Sequence, residues 1–128
     1  MSWQQYVDSS LLGTGTVSQA AIIDAATGAG VWAKSAAFNL TPQEGSAIVN
    51  LFKTPGSAFA TGVHIGGTKY LCIRHDDRSI YGKKGATGVV IVKCKQCVVI
   101  AYYGDSIQPG QCTNTVEKLA DYLIEAGY

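Results

Sequence analysis

Apolar residues recur at helical spacing near both ends of this chain, and at strand-like spacing or in unbroken runs through its middle. Ser2-x-x-Gln5 is a capping-box pattern, and Trp3, Val7 and Leu11 follow at i, i+4 and i+8 with Tyr6 on their flank. This predicts a helix from Trp3 that closes at Leu11-Leu12 before Gly13. Thr41-Pro42-x-Glu44 is a second capping box, with Pro42 suited to the first helical position. Its helix is expected to reach about Phe52 and stop before Pro55-Gly56, followed by a short helical turn through Ala58-Phe59. A last helix begins near Pro109-Gly110 and buries Val116, Leu119, Ala120 and Leu123 at i, i+3, i+4 and i+7. Gly127 suits the left-handed residue that closes it.

The segments between read as strands: 17–23, 31–35, 63–65, 69–74, 79–81, 89–92 and 97–103. Gly66-Gly67 makes the third and fourth a hairpin with a two-residue loop. Asp76-Asp77, the stretch 85–88 and Lys95-Gln96 punctuate the rest, and turns this short force antiparallel neighbours. The runs 89–92 and 98–100 are apolar in both phases, so helices must cover both sides of the sheet. The expected fold is an α/β sandwich around one antiparallel sheet, in a single domain over residues 1–128.

Composition narrows the class. The length suffices to bury about two-thirds of the unfolded surface without disulfides or metal, and the apolar share is 47%. The longest apolar run, 97–103, is far short of a membrane helix. The opening residues lack a basic flank and Asp8 breaks any apolar stretch, so a cytoplasmic location is expected. Net charge is +1, which points to no nucleic acid. Lys69, Arg74, Arg78, Lys83, Lys84, Lys93 and Lys95 nonetheless cluster against only Asp76 and Asp77, and a locally basic face could meet an acidic protein surface or anionic lipid.

Signals for catalysis are poor. Gly62-x-x-x-x-Gly67 is followed by Thr68-Lys69 where a phosphate loop needs Lys and then Ser or Thr. No G-x-S-x-G elbow occurs, and His64 and His75 read as solvated or packed imidazoles. Cys72, Cys94, Cys97 and Cys112 include one CxxC spacing, Cys94-Lys95-Gln96-Cys97. Zinc would want a second ligand pair, and thioredoxin-type chemistry would want the motif to open a helix. Two cysteines beside a hairpin turn is the favoured reading. No enzyme, metal or cofactor is expected.

Aromatic residues at both ends carry more information. Tyr122 falls about 60° to one side of the buried stripe of its helix, and Tyr128 is the last residue, where fraying is normal. Together with Trp3, Tyr6 and Trp32 they suit either core packing or a groove of rigid rings and hydroxyl and indole donors for a polyproline II ligand. Pattern alone leaves the two even.

Ser2-Trp3-Gln4-Gln5-Tyr6-Val7-Asp8 resembles the opening of profilins of plants and simpler eukaryotes. The resemblance continues through Gln19-Ala20-Ala21-Ile22, Val31-Trp32-Ala33, Gly62-Val63-His64-Ile65-Gly66-Gly67-Thr68-Lys69-Tyr70, Asp77-Arg78-Ser79-Ile80-Tyr81-Gly82-Lys83-Lys84-Gly85 and Gln108-Pro109-Gly110. It closes with Val116-Glu117-Lys118-Leu119-Ala120-Asp121-Tyr122-Leu123-Ile124. It implies a central antiparallel sheet with the N- and C-terminal helices on one face and the shorter helices on the other.

The resemblance also implies two partners. Proline-rich ligands, such as filament assembly factors carry, would lie on Trp3, Tyr6, Trp32, Tyr122 and Tyr128, with Tyr122 matching the family by residue type. Monomeric actin would meet Phe59, Thr61, Lys69, Arg74, Lys84, Thr113, Asn114 and Lys118; charge type is kept at Lys69, Arg74 and Lys84. Anionic phosphoinositide lipids would meet Arg74, Lys83 and Lys84. Cys94 and Cys97 depart from the small or polar residues expected at their turn. The implied function is a cytoskeletal adaptor that holds actin on one face and polyproline on another. The alternatives are a membrane-surface phosphoinositide binder with weak or lost actin affinity, or a small thiol oxidoreductase using Cys94 and Cys97.

Overall fold

The computed structural model describes residues 2–128; Met1, the first residue of the expected domain, lies outside the described residues. Among the described residues seven strands form one antiparallel sheet: β1 (Gln19–Asp24), β2 (Val31–Lys34), β3 (Val63–Ile65), β4 (Thr68–His75), β5 (Ser79–Lys84), β6 (Thr87–Lys93) and β7 (Cys97–Tyr103). Their order is β2-β1-β7-β6-β5-β4-β3, so the β3–β7 meander is extended at β7 by the β1–β2 hairpin. The unbroken apolar runs are explained by two cores, one on each face. Ala20, Ile22, Val90, Val92, Val99 and Ala101 point to the first, and Ala21, Ile23, Val89, Ile91, Val98 and Ile100 to the second.

Val7, Leu11, Val116, Leu119, Ala120 and Leu123 close the first core. They come from the N-terminal helix, α1 (residues 3–14), and from α4 (Pro109–Glu125), so these two helices share a face as expected. Ala20 and Ala101 are register partners beneath them, and their small side chains leave room for helix on sheet. The second core is closed by Ile48, Val49 and Phe52 of α2 (Pro42–Lys53) and Ala58 of α3 (Ser57–Thr61).

Both capping boxes form. The Ser2 hydroxyl accepts from Gln5 N–H at 3.1 Å and the Gln5 side chain accepts from Ser2 N–H at 2.7 Å. The helix beyond differs from the expected straight α-helix. It is α-helical only over Trp3–Gln5, winds as a wider π-helix over Tyr6–Leu11, and ends in a 3₁₀ turn at Leu12–Thr14. In an α-helix positions four apart advance by about 40°, which would carry Leu11 away from Val7. The wider i→i+5 winding turns less per residue and keeps both fully buried.

β4, β5 and β6 are longer than expected, β4 by one residue at each end. β5 runs on through Gly82-Lys83-Lys84 and β6 starts at Thr87, which leaves only Gly85-Ala86 as the turn. Gly82 and Gly88 are paired residues, glycine because a Cβ would collide with Tyr70 and Val89 in one case and with Tyr103 in the other. Crowding, not turning, explains them. β1, in contrast, starts at Gln19, two residues later than expected.

Gly66 and Gly67, with φ of 62° and 78°, form the β3–β4 turn as expected. The turn is held against α2 by Glu44. Its carboxylate accepts from Thr41 N–H at 3.1 Å and from Gly66 and Gly67 N–H at 2.9 Å each. Burial pushes this carboxyl up, but the amides of Gly67, Thr41 and Gly66 outweigh burial and hold it below its ordinary value of 4.5. Glu44→Ala should therefore cost about 2 kcal/mol at neutral pH, measured by urea unfolding. A lowered folded value gives stability that is present above pH 4.5 and lost as pH falls through it, so the deficit of the variant should shrink in acid.

Candidate functional site

The capped start of α1, strand β2 and the end of α4 converge on one aromatic cluster. Trp3 is its hub, with ring centroids 4.7 Å from Trp32, 5.5 Å from Tyr6 and 5.1 Å from Tyr128. Tyr122 joins through Tyr6 at 6.2 Å. A hydrogen bond with Tyr122, with burial second, raises the Tyr6 phenol above its ordinary range. All five expected rings are thus brought together. Trp3, Tyr6 and Trp32 are half-buried against the first core, while Tyr122 and Tyr128 remain 56% and 43% exposed. A contiguous, partly exposed aromatic surface is a feature of binding sites more than of cores.

Tyr128 is placed by backbone hydrogen bonds. Its N–H donates to Leu123 O at 2.8 Å and Gly127 N–H donates to Ile124 O at 3.0 Å, with Gly127 at φ 96°, which closes α4 as a Schellman motif. The β6–β7 turn then grips it. Gln96 N–H donates to Tyr128 O, and Gln96 Nε2 donates to Gly127 O at 2.8 Å. This is where the CxxC spacing acquires a structural reading. Cys94 N–H donates to Cys97 O at 2.8 Å, and the two buried thiols lie against Ala120 O and Tyr128 O at 3.9 and 3.8 Å. The hydrogen bond with Cys97, and then burial, push the Cys94 thiol strongly up.

A second surface lies on the open side of β4 and β5. Tyr70 points into the second core, so alternation turns Lys69 and Leu71 to the other side, where α4 does not reach. Leu71 is 66% exposed, Ile73 59%, and Lys83 sits directly across from Leu71. Lys69 and Arg74 are five residues apart and strict alternation would put them on opposite faces. The register shift between Cys72 and Arg74 absorbs Ile73 as an extra residue and brings Arg74 opposite Tyr81. The Arg74 guanidinium stacks 5.2 Å from the Tyr81 centroid and pairs with Asp76 at 2.8 Å.

Glu117 ties α4 to this surface. Its carboxylate accepts from Arg78 at 3.0 Å, from the Ser79 hydroxyl at 2.8 Å and from the Tyr81 hydroxyl. Burial first, then the bond to Glu117, push the Tyr81 phenol up to about 12. Arg78 also pairs with Asp121 at 2.7 Å. Lys118, next in sequence, is exposed, as is Asn114 one turn earlier; Thr113 is half-buried and its hydroxyl donates to Pro109 O at 3.0 Å. Phe59 is 58% exposed on α3, and Thr61 is exposed with its hydroxyl donating to Gly62 O. Lys84 does not join Lys69. It shares its phase with Ile80 and Gly82, so alternation turns it to the face opposite Lys83. Leu71, Ile73, Tyr81 and Glu117 were not singled out from sequence, and Arg78 was named only as one of the clustered basic residues. The first could have been, as an apolar residue in the phase opposite to Tyr70; the Arg78–Glu117 pair spans 39 positions and has no local signal.

A profilin family model matches residues 1–128. The chain belongs to the profilin family. It is 54% identical to Profilin-1 of Dictyostelium discoideum and 56% identical to Profilin-A of Physarum polycephalum, in both cases over 128 residues and the whole of each chain. The crystallised profilin of Schizosaccharomyces pombe superposes with a TM-score of 0.96 at 47% identity, covering 99% of this chain and 100% of that one. Mouse profilin IIa, solved in complex with a double repeat from the FH1 domain of mDia1, shares the fold over the full length of both chains, with a TM-score of 0.80 at 23% identity. Profilins are actin-binding regulators with poly-proline binding roles, and they are not enzymes. The thiol oxidoreductase alternative falls with that membership, and Cys97 opens a strand where such chemistry wants a helix.

The Glu117 node predicts a specific cost. Tyr81→Phe leaves the carboxylate with Arg78 and Ser79 but removes a half-buried charge-assisted donor, and should destabilise the fold by about 1 kcal/mol in urea unfolding. No change would mean that Tyr81 contributes only its ring.

Proposed function

We propose that this chain is a single-domain cytoplasmic adaptor. It holds monomeric actin on the open side of β4 and β5 and a proline-rich peptide on the aromatic cluster. The observation that carries the reading is the five-ring cluster. Of its two most exposed members, Tyr128 is fixed by the cap of α4 and the grip of the β6–β7 turn, and Tyr122 stands within α4 against Tyr6, so little ordering entropy is left for the ligand to meet. A polyproline II helix brings flat apolar rings and unpaired carbonyls, which tyrosine hydroxyls and indole N–H groups can satisfy. The FH1 repeat bound to mouse profilin IIa supports a peptide ligand of this kind.

The actin surface combines exposed Leu71 and Ile73 with Lys69, Arg74 and Lys118 and with Thr113 and Asn114 of α4, and continues round the end of β4 to Phe59 and Thr61 of α3. Apolar anchors ringed by one sign of charge suit an acidic protein surface, with the charges acting largely through steering. By mass action the adaptor sequesters monomers and delivers them to proline-rich assembly factors. Lys84 lies outside this surface and would contribute only at its edge.

Phosphoinositide binding is a second role on the same surface. Lys83, Lys69 and Arg74 around exposed Leu71 and Ile73 present charge and apolar contact together, so anionic lipid and actin should exclude each other. Sedimentation with phosphoinositide vesicles should fall as monomeric actin is added, and fall with salt. Simultaneous binding of both would place the lipid site elsewhere.

The two main surfaces are tested by paired variants. Trp3→Ala should weaken binding of a proline decamer at least tenfold while leaving actin binding intact, with circular dichroism as the check on folding. Arg74→Glu with Lys118→Glu should abolish actin binding yet leave decamer affinity within a factor of about two. A folded Trp3→Ala protein that still binds the decamer would remove the aromatic cluster from the proposal.

A further inference from the structure

Helix α3 has no cap of its own. Its N-cap is Gly56, which brings no side chain; Ser57 and Phe59 N–H donate to Thr54 O and Gly56 O, but the Gly56 and Ala58 amides find no backbone partner there. The partner comes from the neighbouring strand. Nδ1 of His75, the last residue of β4, accepts from Gly56 N–H at 3.1 Å and from Ala58 N–H at 3.3 Å. The ring lies between Phe52 of α2, edge-on with centroids 6.1 Å apart, and Phe59 of α3 at 6.4 Å. Its Nε2 is buried and meets no hydrogen-bond partner among the described residues.

This arrangement fixes the state of the imidazole. A ring nitrogen that accepts two N–H bonds carries no proton, so the proton sits on Nε2, and the imidazolium would have no acceptor to offer. The β-bulge at Ile73 is what makes the contact. Without the extra residue, alternation would send His75 to the open side and Arg74 under α3; with it, Arg74 reaches Tyr81 and His75 pairs with Ile80 in the inward phase.

We infer that His75 is a positioning residue for actin binding, acting as an imidazole cap that docks α3 on β4 and so fixes the exposed Phe59 ring, which lies against the imidazole. The inference rests on the proposed actin surface for its functional half; the cap itself does not. Asn at this position places Oδ1 where Nδ1 now lies, whereas Leu keeps bulk and offers no acceptor. His75→Leu should raise amide hydrogen exchange at Gly56 and Ala58 at least tenfold and weaken actin binding about three- to tenfold, with proline decamer affinity unchanged. His75→Asn should restore both exchange protection and actin affinity.

Long-range ¹H–¹⁵N correlation of the unsubstituted protein reads the tautomer directly and does not depend on any variant folding. A proton on Nε2 supports the cap, and a proton on Nδ1 overturns it. Unchanged exchange in His75→Leu, or a His75→Asn protein as impaired as His75→Leu, would also overturn it. Faster exchange with unchanged actin affinity would overturn the positioning role while leaving the cap in place. Absence of actin binding by the unsubstituted protein would instead count against the actin surface, and the tautomer and exchange results would still decide the cap.

Discussion

The central strands β1, β6 and β7 are apolar on both faces, and every other feature follows from having to cover them twice. Burying such a strand on one side only would leave a row of valines and isoleucines in water, at about 25 cal/mol for each Å² left uncovered. Two helical layers are therefore required. The first and last helices share one face, where the small pair Ala20 and Ala101 admits them, and α2 and α3 take the other. Covering the middle of a seven-stranded sheet leaves its flank bare on one side, and that bare flank of β4 and β5 is the surface proposed to meet actin.

Placement of the binding groups depends on polar contacts at the edges of these layers. Glu117 draws Arg78, Ser79 and Tyr81 to the middle of α4, where exposed Lys118 follows it in sequence, while Tyr122, one turn on, stands beside Tyr6. One helix thus serves both surfaces at a separation of about 6 Å along its axis. At the other end the β6–β7 turn holds the Gly127 and Tyr128 carbonyls. Cys94 and Cys97, whose spacing reads from sequence as two cysteines beside a hairpin turn rather than a metal or redox motif, serve this grip in the folded protein.

What could be read from sequence was local. Both capping boxes, the Gly66-Gly67 hairpin, the Gly127 closure and the two-sided sheet depend on neighbours a few residues apart or on period, and all were legible. The aromatic set was legible as a set, although pattern alone could not choose between groove and core. What could not be read depends on distant pairing. The π-helical winding answers to packing of Val7 and Leu11 on the sheet. The bulge at Ile73, which decides the faces of Arg74 and His75, shows only in the register with β5. Lys84 looked equivalent to Lys83 because adjacency in sequence hides opposite faces of a strand.

In the proposed adaptor, two partners are held at once by surfaces that one helix joins without coupling. Isothermal titration of a proline-rich decamer, into the protein alone and into the protein saturated with monomeric actin, tests it most directly. A ternary complex of one decamer, one adaptor and one actin is expected, with decamer affinities that agree within a factor of about two. Decamer binding that is lost, or weakened tenfold or more, in the actin-saturated protein would contradict it.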